Sequence, residues 1–298
     1  MPKEKMNAYA GLIMAVFFWA TNTVLARGVV HDMNPMALSF WRWVVAFLVI
    51  LPFSVKCLLK DANEIKINKF RLAMLSFFSV TAYNTLLYKA AHYTTALNMS
   101  IAAAAFPTIT IVIAWLVIHE IPSIPQLIGV VISAVGMLCL IVQGSFENLY
   151  NLKFNYGDLM VVGAVISWSI YSVYLRKFKI QIEPISFLTM TITLGSIFIM
   201  PFYAWEIFAT QTFSLTLKVV PIILFVGIFP SILSYFWWNH GIVKVGPSIS
   251  AMFYYLLPLF AAILAFIFLG EQVKLFHIFG GTLIFSGLYL AIKRTKKI

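Results

Sequence analysis

Apolar runs of about 20 residues follow one another along this chain, and nothing else constrains its fold as much. The runs are continuous rather than alternating, so they fit bilayer-spanning helices and not barrel strands. Ten spans are expected, over about 7–27, 35–55, 70–90, 95–118, 124–143, 156–176, 184–204, 218–239, 246–269 and 274–292. Of the 298 residues, 62% are hydrophobic and only 10% charged. A water-soluble fold has no place for that much apolar surface. The first run is too long for a signal-peptide core and lacks a small-residue exit, so it reads as a retained helix.

The net charge of +11 raises the question of a nucleic-acid partner. Its distribution answers no. With the N-terminus inside, fifteen lysines and arginines fall on the inner side, five on the outer side, and Arg42 within a span. That bias is the positive-inside rule, which predicts an inner-membrane protein with both termini in the cytoplasm. The basic C-terminal "KRTKK" fits an inner anchor, with contact to anionic lipid as the alternative. The partners expected are the bilayer and a small-molecule substrate; monomer and homodimer both stay open.

The chain is written twice. Pro107 and Glu120 recur 151 residues later as Pro258 and Glu271, and Gly129 and Gly136 as Gly280 and Gly287. Nearer the start of each half the shift is 149, pairing Trp19 with Trp168, Arg27 with Arg176, Pro35 with Pro184 and Pro52 with Pro201. Shared apolar composition explains matched leucines but not matched Trp, Arg, Pro and Glu in order. The reading is two five-helix repeats, 1–146 and 147–298. Five is odd, so the second copy enters the membrane from the opposite side. The expected fold is an all-α integral membrane protein with ten transmembrane helices in a 5+5 inverted repeat. That architecture suits a secondary transporter with a site near the midplane between repeats.

Over nearly the whole chain, the sequence resembles the EamA family of the drug/metabolite transporter superfamily. The resemblance is carried by "FWATNTVLAR", "ALSFWRWVVA" and "YKAAHYTTALNMSIAAAAFPTITIVIAWLVIHE" in the first half. In the second half it is carried by "GDLMVVGAVISWSIYSVYLRK", "VGPSISAMFYYLLPLFAAILAFIFLGE" and "GGTLIFSGLYLA". It implies two five-helix bundles and export of amino acids or related metabolites. His119 departs from the family pattern, which has glycine before the glutamate as at Gly270.

Pro107 and Pro258 are expected to kink their helices by removing one backbone hydrogen bond. A freed carbonyl in lipid needs a partner, so such kinks border a water-filled pathway or serve packing. Glu120 and Glu271 end their spans. There a carboxylate can cap the next helix, with a proton-coupling role as the alternative. No acid lies in the middle of a span, so coupling through a buried carboxylate is not signalled.

Candidate substrate-binding residues are Trp19, Asn22, Arg42, Tyr83, Tyr88, Asn98, Trp168, Tyr171, Tyr235 and Tyr254, with Asn84 and Trp238 as further lining candidates. A cavity for amphipathic solutes needs mostly apolar walls and a few placed polar groups. Each aromatic has core packing or an interfacial belt as its alternative role. Arg42 lies seven residues after Pro35, about 10 Å below the outer surface. Its counterpart is Thr191, so the repeat does not demand a cation there. Holding backbone carbonyls or snorkelling outward is one reading of it, and gripping a substrate carboxylate the other.

The chain carries no HExxH, no phosphate loop, no nucleophile elbow and no acidic metal cluster, so neither a cofactor nor a metal is expected. Cys57 and Cys139 have no partner spacing. A passive channel and a membrane-embedded enzyme are the rival classes: the first requires an open polar pore, the second a catalytic constellation.

Overall fold

The computed structural model describes residues 3–29, 35–145, 155–210, 219–269 and 274–293, with single positions 147, 150, 153 and 272 between them. Among the described residues every element is helical. The first helix is α1 (Lys3–Val29), followed by α2 (Pro35–Lys60). After a short helix, Ala62–Ile67, comes the helical stretch α3, residues 69–90. Then follow α4 (Ala96–Ile118), α5 (Ile124–Ile141), α6 (Tyr156–Phe178) and α7 (Pro184–Phe208). The last three are α8 (Val220–Val245), α9 (Pro247–Phe268) and α10 (Leu275–Ile292).

Among the described residues eight helices, α2 and α4 to α10, are long and apolar enough to cross a membrane. The ten spans expected are not reached by that measure. α1 and α3 are helical but fall outside the eight, and both carry polar side chains such as Asn22, Thr23, Asn84 and Lys89. With that many apolar helices, the chain is a multi-pass membrane protein.

Helix starts follow their capping chemistry. Thr95 accepts from the Asn98 amide, and Ser123 from the Gln126 amide. Asn155 and Asp158 form a reciprocal capping box at the start of α6. This corrects one expectation: Ser123, not Glu120, caps α5. The Glu120 carboxylate lies instead against Gly246 and Ser248, at the joint of α8 and α9. His119 explains why. It takes the left-handed backbone conformation at φ 55 and turns the chain out of α4 before Ser123. Glu271 lies outside the described residues.

The proline expectation also changes. α4 breaks at a turn over Ala104 and Ala105, where the amide of Ala105 bonds the carbonyl of Ala102. The helix restarts at Phe106, so Pro107 sits in a first turn. α9 passes through a 3-10 turn, Phe253–Leu256, and Pro258 again follows in a first turn. A first-turn amide has no partner within its helix, so neither proline removes a hydrogen bond.

α5 packs against α10 through glycines. A Cβ placed on Gly129 would fall 2.4 Å from the Gly287 carbonyl oxygen, and one on Gly136 would fall 2.6 Å from that of Gly280. Ser133 donates to the Ile284 carbonyl midway between them. Backbones this close leave no room for side chains. Gly129 faces the 151-shifted counterpart of Gly136, and Gly136 faces that of Gly129. Reciprocal contact of this kind is what a twofold relation produces.

α3 and α8 share a second feature. Each contains a π-helical stretch, Phe77–Ala82 in α3 and Gly227–Leu233 in α8. The wider π register frees carbonyls that an α-helix would bind itself. Those carbonyls hold side chains of the central cavity.

Candidate functional site

Between the helices lies a cavity of about 530 Å³ whose rim includes exposed Thr23, Ala91 and Ala96. Trp19, Asn22, Arg42, Tyr83, Tyr88, Trp168, Tyr235, Tyr254 and Pro258 line it, all anticipated from sequence. Asn84 completes its polar wall, while Leu38, Leu87, Met99, Met137 and Leu257 complete its apolar one.

The π stretches hold this wall in place. In α3, three consecutive carbonyls are taken by side chains. Ser167 donates to that of Phe78 at 2.8 Å, Tyr235 to Ser79 at 3.1 Å, and Asn84 to Val80 at 2.5 Å. In α8, the indole N–H of Trp19 donates to the Pro230 carbonyl at 3.1 Å. So a cavity ring from the first half hangs on the second half's π stretch, and Tyr235 does the reverse. Buried phenol and indole groups need such partners.

At the floor the rings meet directly. Trp19 and Trp168, counterparts at the 149 shift, stand edge to face with centroids 5.6 Å apart. Tyr83 and Tyr235 each lie 5.1 Å from Trp168, and Trp238 lies 5.0 Å from Trp19. Tyr171 is fully buried beneath them, 5.2 Å from Trp168.

Arg42 is the polar centre. It is 7% exposed, and its Nη2 donates to the Asn84 side-chain oxygen at 2.7 Å. The Asn84 amide nitrogen donates to Val80, and its oxygen faces the guanidinium, which can only donate. Arg42 also stacks 4.9 Å over Trp43. Its Nε is buried without a partner. Among the described residues no carboxylate lines the cavity. An unopposed guanidinium with a free donor in an apolar cleft is suited to a planar anionic group. Thr191, the counterpart of Arg42, turns back to its own helix at the Phe187 carbonyl.

Four anticipated residues lie elsewhere. Asn98 does not line the cavity; it donates to Asp158 at 3.2 Å and to the Lys153 carbonyl at 3.0 Å. Asp158 draws it there because the carboxylate, also gripped by Thr94, sits in the α6 capping box. Tyr171 lies behind Trp168, its hydroxyl bonded to the Asn239 side-chain oxygen at 2.5 Å. Pro107 is buried in packing, unlike cavity-lining Pro258. Glu120 stands outside α4, where burial raises its carboxyl above the usual range against opposing pulls from Ser248 and Arg176. Among the described residues no cluster of three His, Cys, Asp or Glu could hold a metal ion.

The model of the EamA-like transporter family matches residues 6–142 and 155–293. An uncharacterized transporter of Bacillus subtilis (strain 168), YyaM, is 26% identical over 97% of this chain and 94% of its own length. An uncharacterized transporter of Archaeoglobus fulgidus is also 26% identical, over 96% of this chain and 98% of its own. A crystal structure of a protein 13% identical overlays with a TM-score of 0.78 and covers 99% of each chain, so the fold is shared.

Proposed function

The chain belongs to the EamA-like transporter family, and on that premise we propose that it is a secondary transporter exporting small carboxylate-bearing metabolites, chiefly amino acids or their relatives. The observation that carries the substrate class is Arg42. It is buried in the cavity wall, keeps an unpartnered Nε, and faces no lining acid. The surrounding aromatic rings suit an apolar side chain, and their faces suit an ammonium group. Charge distribution supports an inner-membrane site with both termini cytoplasmic.

The proposed mechanism is alternating access by two inverted five-helix repeats, 1–146 and 147–298. Three observations support it: the reciprocal glycine contact of α5 with α10, the paired π stretches of α3 and α8, and the exchange of hydrogen bonds between those stretches and opposite-half rings. A passive channel fits less well, because the cavity wall is mostly aromatic and apolar rather than an open polar pore.

A second reading, export of apolar drugs, is favoured by the Leu38, Leu87, Met99, Met137 and Leu257 wall. Proteoliposome uptake of a radiolabelled panel, with and without a pH gradient, separates the two. Amino acids and other carboxylates should be carried saturably and amines or esters of the same shape poorly. The reverse order would favour the drug reading, and no saturable flux for either would refute both.

A further inference from the structure

A second cavity, of about 410 Å³, lies at the bundle end that carries Glu4 and Lys60. Its polar lining is Arg176, Lys179, Gln181, Asn239 and His240. Among the described residues no carboxylate lines it. The acids near this end have other direct partners, while Glu120 acts on Arg176 and Glu4 on His240 only through longer-range charge. Glu183 pairs with Lys60 at 3.0 Å, and Glu4 with Lys244 at 2.9 Å. Asp61 accepts the Glu183 amide at 2.9 Å, and Glu120 lies against Gly246 and Ser248.

The donors, in contrast, are left over. Arg176 uses Nη1 on the Val243 carbonyl and has further N–H groups to give. The Asn239 oxygen accepts from Tyr171, which orients the amide nitrogen as a donor with no bond of its own. Lys179 forms no ion pair among the described residues. It sits in the left-handed region at φ 46, an uncommon conformation for a side-chain-bearing residue. Gln181 fixes that turn by donating to the Lys179 carbonyl at 2.9 Å. The chain is thereby bent so that 179–182 walls the cavity.

We propose that this cavity is a binding site for an oxyanion, either a free small anion or the phosphate of an anionic lipid headgroup. An arginine tethered through one nitrogen with donors to spare, an exposed lysine beside it, an oriented amide and no acid among the described lining residues suit recognition of a phosphate or carboxylate. Apolar Leu75, Phe187 and Phe236 form part of the remaining wall. The site is separate from the central cavity and is linked to it through one residue: Tyr171 bonds Asn239 at one end and packs on Trp168 at the other. The inference does not depend on the transport reading, since binding alone tests it.

Two probes distinguish the sources. Inorganic phosphate is titrated on the full chain in phosphatidylcholine nanodiscs, with binding followed by thermal unfolding against potassium chloride of equal ionic strength. Retention of phosphatidylglycerol is measured separately by native mass spectrometry. The variants are Asn239→Asp, which keeps the acceptor for Tyr171 but adds a charge, exposed Lys179→Gln, and Lys66→Gln as an exposed cation outside the cavity. At least one probe should bind wild type and weaken about 10-fold or more in Asn239→Asp and Lys179→Gln, with Lys66→Gln unchanged. Phosphate alone would identify a free anion, and phosphatidylglycerol alone a headgroup. Binding of neither probe, binding that survives both cavity variants, or equal loss in Lys66→Gln would overturn the site.

Discussion

Gly129 and Gly287 touch backbone to backbone: a Cβ on either would fall 2.4 Å from the other's carbonyl oxygen. Both lie in the α5–α10 contact, and these carbonyls are backbone that cannot move aside alone; a Cβ on Gly287 would also fall 2.3 Å from the Ser133 Oγ. Gly129→Ala and Gly287→Ala should each therefore destabilise the protein by about 1–3 kcal/mol. The double variant should cost less than the sum, because either methyl group already forces the helices apart. Thermal unfolding in detergent measures this; additive or absent losses would mean that the contact is looser than described.

Arg42→Lys should keep the charge and lose the planar fork. Asn84 then faces an ammonium that cannot reproduce both the 2.7 Å bond and the free Nε. The expected result is KM raised about 10-fold for carboxylate substrates, with uncharged analogues spared. Proteoliposome kinetics on matched acids and amides checks it. Equal losses for both classes would assign Arg42 to structure.

Trp19→Phe removes the donor to Pro230 while keeping a ring at the cavity floor. It should fold, lose about 1 kcal/mol of stability and raise KM severalfold. Trp168→Ala is a different case. Trp168 is 5% exposed and packed among Trp19, Tyr83, Tyr171 and Tyr235. Its truncation should cost about 3–5 kcal/mol. Unfolding midpoints beside transport rates separate the two, and a stable Trp168→Ala protein would contradict the packing.

Much of this was legible in the sequence, for definable reasons. Spans follow from the thickness of hydrocarbon, and the Trp19–Trp168 and glycine pairs from a repeated register. Arg42 stood out because a guanidinium among apolar residues needs a protein or water partner. The π stretches were not legible, since Phe77–Ala82 and Gly227–Leu233 share no composition that announces a changed hydrogen-bond register. Asn98 and Tyr171 were misassigned to the cavity because spacing gives a helix face and not the neighbour opposite it. Asp158 claims the first and Asn239 the second. Glu120 was misread for a similar reason: the left-handed His119 turns it away from α5. The second cavity escaped notice because only packing brings Asn239 and His240 against the 176–182 stretch.

Glu120 sets a pH dependence. Burial raises its folded carboxyl above the ordinary value of 4.5, so the folded state binds the proton more tightly than the unfolded. That contribution is fully present below the unfolded value and is lost as pH rises through the folded one. Glu120→Gln should match wild type in Tm near pH 4.5 and exceed it increasingly above, reaching a plateau once the folded carboxyl is ionised. A Tm difference that stays constant with pH would show that the buried charge carries no such cost.

Alternating access is tested most directly by labelling the two ends in one protein. In a background without Cys57 and Cys139, Ala91→Cys at the rim of the central cavity and Val243→Cys in the second cavity give single reporters. Each is labelled with a membrane-impermeant maleimide in proteoliposomes of defined orientation, with and without a saturating transported amino acid. Two inverted halves rocking about one site predict opposite responses: substrate that protects Ala91→Cys should expose Val243→Cys, or the reverse. Protection or exposure of both together, or of neither during measured transport, would contradict alternating access through this cavity.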